Sequence, residues 1–324
     1  MKTKLLYVLV SGPGDMYLEQ AFISAASARK HNPEARIELL TDSATFSGIS
    51  SRGQIAEDFL KLFDNIVRAD LDPSLPGFKR SRLLKTGMRS YIEGDFLYID
   101  SDTVIAKALD AVDGIDASIA ACADLHCTFA DHPHRDATIS LCRKAGFDAS
   151  SEQVYFNGGV MLVRDTPEAS EFFRLWHENY LLSYDSGIRQ DQPSLSRTNA
   201  SLGHIVKELE GFWNCQLQYG TRFLKDAYIV HYVCTYIHSG EEGKLFRLND
   251  PSTLLKVRTG GLASVEDIIE DPSCGIAPCA RLFAGEDLYF FRTRRYRWMR
   301  KRFRRNRFSL LEFILKVCDH IKSA

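Results

Sequence analysis

The sequence predicts an α/β domain whose mainly parallel central sheet is flanked by helices, with a basic amphipathic helical tail behind it. Three observations carry the prediction. Apolar runs alternate with helical patterns in strand–helix–strand order through the first third of the chain, as a βαβ unit requires. Residues 96–99 and 117–123 are apolar runs bounded by polar residues, the pattern of strands buried on both faces. Charge is segregated: residues 292–324 carry +10, which leaves −11 for the body of a chain whose net charge is −1. That asymmetry implies an anionic partner surface. At 324 residues there is room for one large α/β domain with additions.

Taken in order, residues 5–10 read as the first strand. The basic start before them lacks the length and cleavage site of a signal peptide. Ser11-Gly12-Pro13-Gly14-Asp15 is the turn, and residues 17–31 form a helix with Leu18, Phe22, Ala25 and Ala26 apolar, ended by Pro33. Residues 36–41 are the second strand. The less regular stretch 44–76 holds a helix at 55–63 and a short strand at 65–68. Residues 78–92 read as a basic amphipathic helix leading into the strand at 96–99, and the strand at 117–123 ends at Asp124. In 154–164 paired glycines precede an apolar strand, which marks close approach of backbone to a ligand or another strand. Residues 168–184 form a helix, Asp191-Gln192-Pro193 opens the next element, and a late strand at 228–232 carries His231. No run of eighteen apolar residues exists, so a spanning helix is not expected.

The chemistry centres on Asp95-Phe-Leu-Tyr-Ile-Asp-Ser-Asp-Thr-Val-Ile105. A buried strand delivers Asp100, Ser101 and Asp102 to its carboxyl end, where open α/β sheets bind ligands. Two carboxylates one residue apart can grip a hard cation, which in turn can hold a diphosphate. Two other readings compete: a solvated turn, and the nucleophile loop of phosphatases resembling the haloacid dehalogenases. In those phosphatases the strand opens the domain. Here other strands and about ninety residues precede it, and no downstream Lys with an acidic pair is evident.

Eight cysteines without a Cys-x-x-Cys pair point to reduced thiols in a cytoplasmic protein. Cys122, His126, Cys127, His132, His134 and Cys142 lie close in sequence but match no common zinc spacing. In the tail, Arg and Lys interleave with Phe290, Phe291, Tyr296, Trp298 and Phe303, and residues 308–321 place Leu310, Leu311, Ile314, Leu315 and Cys318 on one helical face. Such a segment reads as membrane-surface binding, at about 1 kcal/mol per basic residue near anionic lipid. No nucleic-acid module is present, so nucleic acid is not the expected partner.

With these pieces in order, residues 5–231 resemble glycosyltransferases of the GT-A fold, most closely family 8, which includes bacterial lipopolysaccharide galactosyl- and glucosyltransferases and glycogenin. The resemblance rests on Phe-Leu-Tyr-Ile-Asp-Ser-Asp-Thr-Val, on Phe-Asn-Gly-Gly-Val-Met-Leu-Val some way after it, on Asp191-Gln192 and on His231. It implies a catalytic domain over residues 1–288, the tail over 289–324, and transfer of a hexose from a nucleotide diphosphate sugar such as a UDP-hexose to a saccharide acceptor, with retention. A lipid-linked or surface glycan, as in lipopolysaccharide or capsule synthesis, is the expected acceptor, met at the inner face of the cytoplasmic membrane.

Asp100, Asp102 and His231 would hold a divalent metal, manganese in preference to magnesium because of the imidazole. Asp15, Tyr17, Lys85, Ser101 and Gly158 fall where the family contacts its sugar donor. Asp124, Asn157, Asp191 and Gln192 match residues that bond the donor sugar, although Asp191 could equally be a helix cap. The family follows its histidine with a Gly and a Lys-Pro-Trp that closes over the phosphates. Here the lysine is absent, with His238 or Lys244 as substitutes. A nucleotidyltransferase of related fold lacks its Gly-rich basic phosphate loop. A non-catalytic carbohydrate-binding relative is the remaining rival, against which the retained carboxylate pair argues.

Overall fold

The computed structural model describes residues 1–233, 245–277 and 293–303. The chain divides into two compact units, Met1–Leu282 and Phe283–Ala324. The boundary expected at 288 lies outside the described residues.

The first unit is built on strands β1 (Lys4–Leu9), β2 (Ile37–Asp42), β3 (Asn65–Ala69), β4 (Phe96–Ile99), β5 (Thr103–Ile105), β6 (Ile119–Ala123), β7 (Phe156–Val163), β8 (Lys207–Leu209), β9 (Cys215–Gln216) and β10 (Ile229–His231). Its helices are α1 (Tyr17–His31), α2 (Ser43–Ser50), α3 (Gln54–Leu60), α4 (Gly77–Gly87), α5 (Arg135–Lys144), α6 (Pro167–Asp185), α7 (Gln192–Ser201), α8 (Pro251–Gly260) and α9 (Glu266–Glu270). In the second unit α10 (Arg294–Phe303) is described.

Seven strands form one sheet in the order β3-β2-β1-β4-β7-β6-β8, parallel except where β7 runs against β4 and β6. Period-two alternation splits each central strand between two cores. Leu5, Tyr7, Leu97, Ile99, Val160 and Leu162 face α1 through Leu18, Phe22 and Ala25. Leu6, Val8, Phe96, Tyr98, Met161 and Val163 face α4 and α6 through Leu84, Phe172 and Trp176. Each large side chain buried this way contributes about 1.5–3 kcal/mol, and so the strands read as largely apolar runs.

The second sheet, β5-β10-β9, positions the site. Residues 100–102 carry the chain from one sheet to the other, since β4 belongs to the first and β5 to the second. Strand β10 pairs antiparallel with β5 and sets His231 opposite Thr103. Helix α1 holds β5 in place: Ser24 Oγ lies 2.7 Å from Thr103 Oγ1, and Ile105 N donates to Ser27 Oγ at 2.9 Å.

Several boundaries differ from the sequence reading. The stretch expected to be irregular from residue 44 starts with α2, capped by Asp42, whose carboxylate accepts Thr45 N at 2.7 Å. The basic helix ends at Gly87 and continues only as a 3₁₀ turn, Met88–Ser90. Strands β5, β8 and β9, of two or three residues, are too short for periodicity to register.

A candidate active site at the junction of the two sheets

Asp100, Asp102 and His231 converge, with one ligand atom from each within 4.8 Å of the others. Among the described residues this is the one such group of three; the Cys/His cluster of residues 122–142 is not gathered at one point. His231 Nε2 lies 3.1 Å from Asp102 Oδ1. Asp100 takes Tyr98 Oη on Oδ1 and Lys85 Nζ at 3.2 Å, while its backbone N–H donates to Gly159 O at 2.8 Å. Burial lowers the affinity of the His231 ring for a proton, but Asp102 and then Asp100 outweigh it and raise the pKa above the ordinary histidine value. Two carboxylates and an imidazole facing one point form a donor set that fits a divalent cation such as Mn²⁺.

The site lies in a cleft of about 610 Å³. Helix α4 gives one wall a basic face through Arg80, Arg82 and Lys85. Lys85 Nζ sits between Asp100 and Asp191 Oδ2, which it approaches to 3.5 Å, and Arg82 Nε is 3.1 Å from Asp191 Oδ1. Burial would raise the Asp191 carboxyl, yet Arg82 and then Lys85 hold it below the ordinary carboxylate range. Asp191 is therefore no helix cap. Although it sits at the N-terminus of α7, its side chain makes no capping bond. Its carbonyl instead accepts the buried Trp176 Nε1 at 3.2 Å.

Of the sequence-predicted residues, Asp15, Tyr17, Lys85, Ser101, Asn157, Gly158, Asp191 and Gln192 line the same cleft as the Asp100–Asp102–His231 group. Asp15 spends its carboxylate on its own turn, accepting Ser11 Oγ at 2.7 Å, Gly12 N at 2.6 Å and Tyr17 N at 3.2 Å. Tyr17 is 42% exposed at the lip. Asp124 stands behind the cleft wall, with Oδ1 accepting Asn157 Nδ2 at 2.8 Å and Oδ2 facing His132 Nε2 at 3.1 Å. His238 and Lys244 lie outside the described residues.

Sequence reasoning missed four features. Arg82 lies three residues before Lys85 on one helical face, a spacing that could have been read. Asn214 gave no signal; it lies between Asn157, whose Oδ1 accepts Asn214 Nδ2 at 3.0 Å, and His231, whose Nδ1 is 2.8 Å from Asn214 Oδ1. Gly159, rather than Gly158, is the glycine the packing demands. A Cβ there would fall 2.4 Å from His231 Cε1, whereas one on Gly158 meets nothing closer than Lys85 Cε at 3.6 Å. Val233 lines the cleft at φ 50°, a conformation strained for a β-branched residue by about 1–3 kcal/mol.

No family model matches the chain, and no curated protein matches it. Solved structures do. The bifunctional glycosyltransferase WbbM superposes with a TM-score of 0.50 at 13% identity, over 83% of this chain and 52% of that one. The chain has the GT-A glycosyltransferase fold. The galactosyltransferase LgtC, in complex with donor and acceptor sugar analogues, aligns over 71% of this chain and 87% of its own at 18% identity and TM-score 0.48. GlyE of Streptococcus pneumoniae TIGR4 aligns over 87% and 67% at 17% identity and TM-score 0.48. Against WbbM the chain spans about half the length of the matched protein.

Proposed function

We propose that the chain is a metal-dependent glycosyltransferase that moves a hexose from a nucleotide diphosphate sugar, a UDP-hexose, to a saccharide acceptor with retention of configuration. The observation that carries this reading is the Asp100–Asp102–His231 group at the floor of a cleft whose facing wall is basic. The GT-A fold shared with WbbM supports it.

The hard step is departure of a nucleoside diphosphate carrying growing negative charge. A divalent cation held by Asp100, Asp102 and His231 supplies Lewis-acid stabilisation of that charge when bound. The chain adds cations fixed before the reaction begins. Lys85 and Arg82 are held against Asp100 and Asp191 in a part-buried wall, where their charge acts without reorganisation. Asp191 offers acceptors to sugar hydroxyls, and Asn157 lines the cleft beside it. Gln192, whose Nε2 donates to Phe156 O at 3.2 Å, presents its remaining oxygen from a fixed position. Tyr17, exposed at the rim, offers a face on which a base can stack.

For the tail, we propose peripheral attachment to an anionic membrane, which fits a lipid-linked acceptor. Helix α10, Arg-Arg-Tyr-Arg-Trp-Met-Arg-Lys-Arg-Phe, has no acid, and Trp298 is 52% exposed. No helix among the described residues is long and apolar enough to cross a membrane. Co-sedimentation with vesicles containing phosphatidylglycerol, but not with pure phosphatidylcholine, is expected for the whole chain and not for one lacking residues 292–324. Equal partition of both forms refutes the attachment.

The activity is tested by incubating the full chain with a panel of nucleotide sugars, with Mn²⁺ or with a chelator, and measuring released nucleoside diphosphate. Release should require the metal and vanish in the Asp100→Ala/Asp102→Ala double variant. Turnover that survives either treatment, or a panel with no substrate, overturns the proposal.

A further inference from the structure

Behind the proposed metal ligands runs a line of buried side-chain hydrogen bonds whose polarity can be worked out group by group. It starts from two backbone amides, which can only donate. Gly159 N–H donates to Asn157 Oδ1 at 2.9 Å, so that oxygen is an acceptor and the other terminus of Asn157 is its NH₂. The NH₂ donates to Asp124 Oδ1. At the far end His134 N–H donates to His132 Nδ1 at 3.1 Å, so the His132 proton sits on Nε2 and points at Asp124 Oδ2. Asp124 therefore accepts from both sides.

Asn214 reaches the same Asn157 oxygen at 3.0 Å and can face it only with its NH₂. Its remaining terminus, Oδ1, then lies 2.8 Å from His231 Nδ1 and can only accept. His231 Nδ1 must therefore carry a proton to make that bond, and the other ring nitrogen, Nε2, is the one that faces Asp102 and the cleft. Asn214 and Asn157 are fully enclosed or nearly so, hence water does not compete for these bonds. The missing side chain at Gly159 completes the arrangement, since a methyl there would strike the His231 ring.

We propose that Asn214 is a positioning residue: oriented by Asn157, it locks the His231 ring in the Nδ1–H tautomer and presents Nε2 as a preformed ligand. The lock rests on the glycosyltransferase reading only for its use, because the Asn157–Asn214–His231 contacts are made in the metal-free chain. Partners of this kind on a metal-binding histidine are worth about 10–100-fold in metal affinity. The Asn214 carboxamide also joins His231 to Asn157, which lines the same cleft.

Nuclear magnetic resonance of the full, metal-free chain labelled with ¹⁵N-histidine reads the tautomer directly. His231 is assigned by loss of its signal in His231→Gln, and spectra are recorded over a rising pH series until the ring nitrogens report the neutral form. Wild type should show the proton on Nδ1. Asn214→Leu should populate the Nε2–H form, which can donate to Asp102, and weaken Mn²⁺ binding, followed by electron paramagnetic resonance, about 10–100-fold. Asn214→Asp, which keeps an acceptor at Nδ1, should hold the wild-type tautomer. An Nε2–H ring in the wild type overturns the proposal even if Asn214→Leu fails to fold. So does a leucine variant with wild-type tautomer and Mn²⁺ affinity. If the wild type shows the Nδ1–H ring but binds no Mn²⁺, the metal reading fails and the tautomer lock stands on its spectrum.

Discussion

Gly159→Ala should destabilise the metal-free protein, and its neighbour Gly158→Ala should not. Both glycines lie in β7 and neither has a left-handed φ, so the difference is steric. The added methyl at residue 159 would lie 2.4 Å from His231 Cε1 and 2.9 Å from both His231 Nδ1 and Asn157 Oδ1. Relief requires the ring to retreat by about 1 Å. The ring is held at Nδ1 by Asn214 and at Nε2 by Asp102, and its backbone pairs with Thr103 and Gln216. Overpacking of this kind costs about 1–3 kcal/mol, and a buried polar group left unpaired costs about 1–3 kcal/mol more. The narrower unfolded ensemble of alanine gives back about 0.4–1 kcal/mol. The net loss is about 1–5.5 kcal/mol, or a fall in melting temperature of about 2–22 °C. At residue 158 the methyl meets only ordinary contacts, so the change should be neutral or stabilising by up to about 1 kcal/mol. Urea unfolding of both variants without metal, which removes ligand linkage, measures the difference. A Gly159→Ala variant as stable as wild type, or a Gly158→Ala variant equally damaged, refutes the packing argument.

Three further outcomes follow from the same geometry. The depressed Asp191 carboxyl stabilises the fold above the unfolded value of about 3.9, and that contribution disappears as pH falls through the folded value. The stability gap between wild type and Arg82→Met should therefore be full at neutral pH and close below about pH 4. Urea midpoints across that range check it, and a gap that does not vary with pH contradicts the assignment. Trp176→Ala removes a buried ring and one of the bonds to Asp191 O, and should cost about 3–5 kcal/mol; a loss under about 1 kcal/mol in urea unfolding would contradict the burial of that ring. Burial pushes the Cys142 and Cys215 thiols up to about 12, while Cys274 is exposed. Alkylation of the native protein, mapped by mass spectrometry, should mark Cys274 well before Cys142 or Cys215, and equal rates would mean the burial is wrong.

Much of the fold was legible because burial on both faces imposes a local signature. Strands β1, β2, β4, β6 and β7 are mostly apolar and buried along nearly their whole length, and helices α1 and α6 run for fifteen and nineteen residues with apolar positions recurring at helical spacing. The Asp-x-Asp turn was legible for the same reason, since a long enough apolar run declares where it ends. Short elements were not. Strand β5 has three residues and follows the turn directly, so no pattern separates it from β4.

The amino-acid sequence by itself determined the layered architecture, the place of Asp100 and Asp102 at a strand end, and the segregation of a basic tail. Those properties depend on side chains close together along the chain. The tertiary structure alone decided that His231 closes on Asp102, that Asp124 stands behind Asn157, and that Gly159 rather than Gly158 must lack a side chain. Each of these depends on register between strands far apart in sequence, and Asn214, placed by the turn before β9, is the clearest case. A hydrogen bond needs two groups to within a few tenths of an ångström, and residue order carries no such distances until the two sheets have packed.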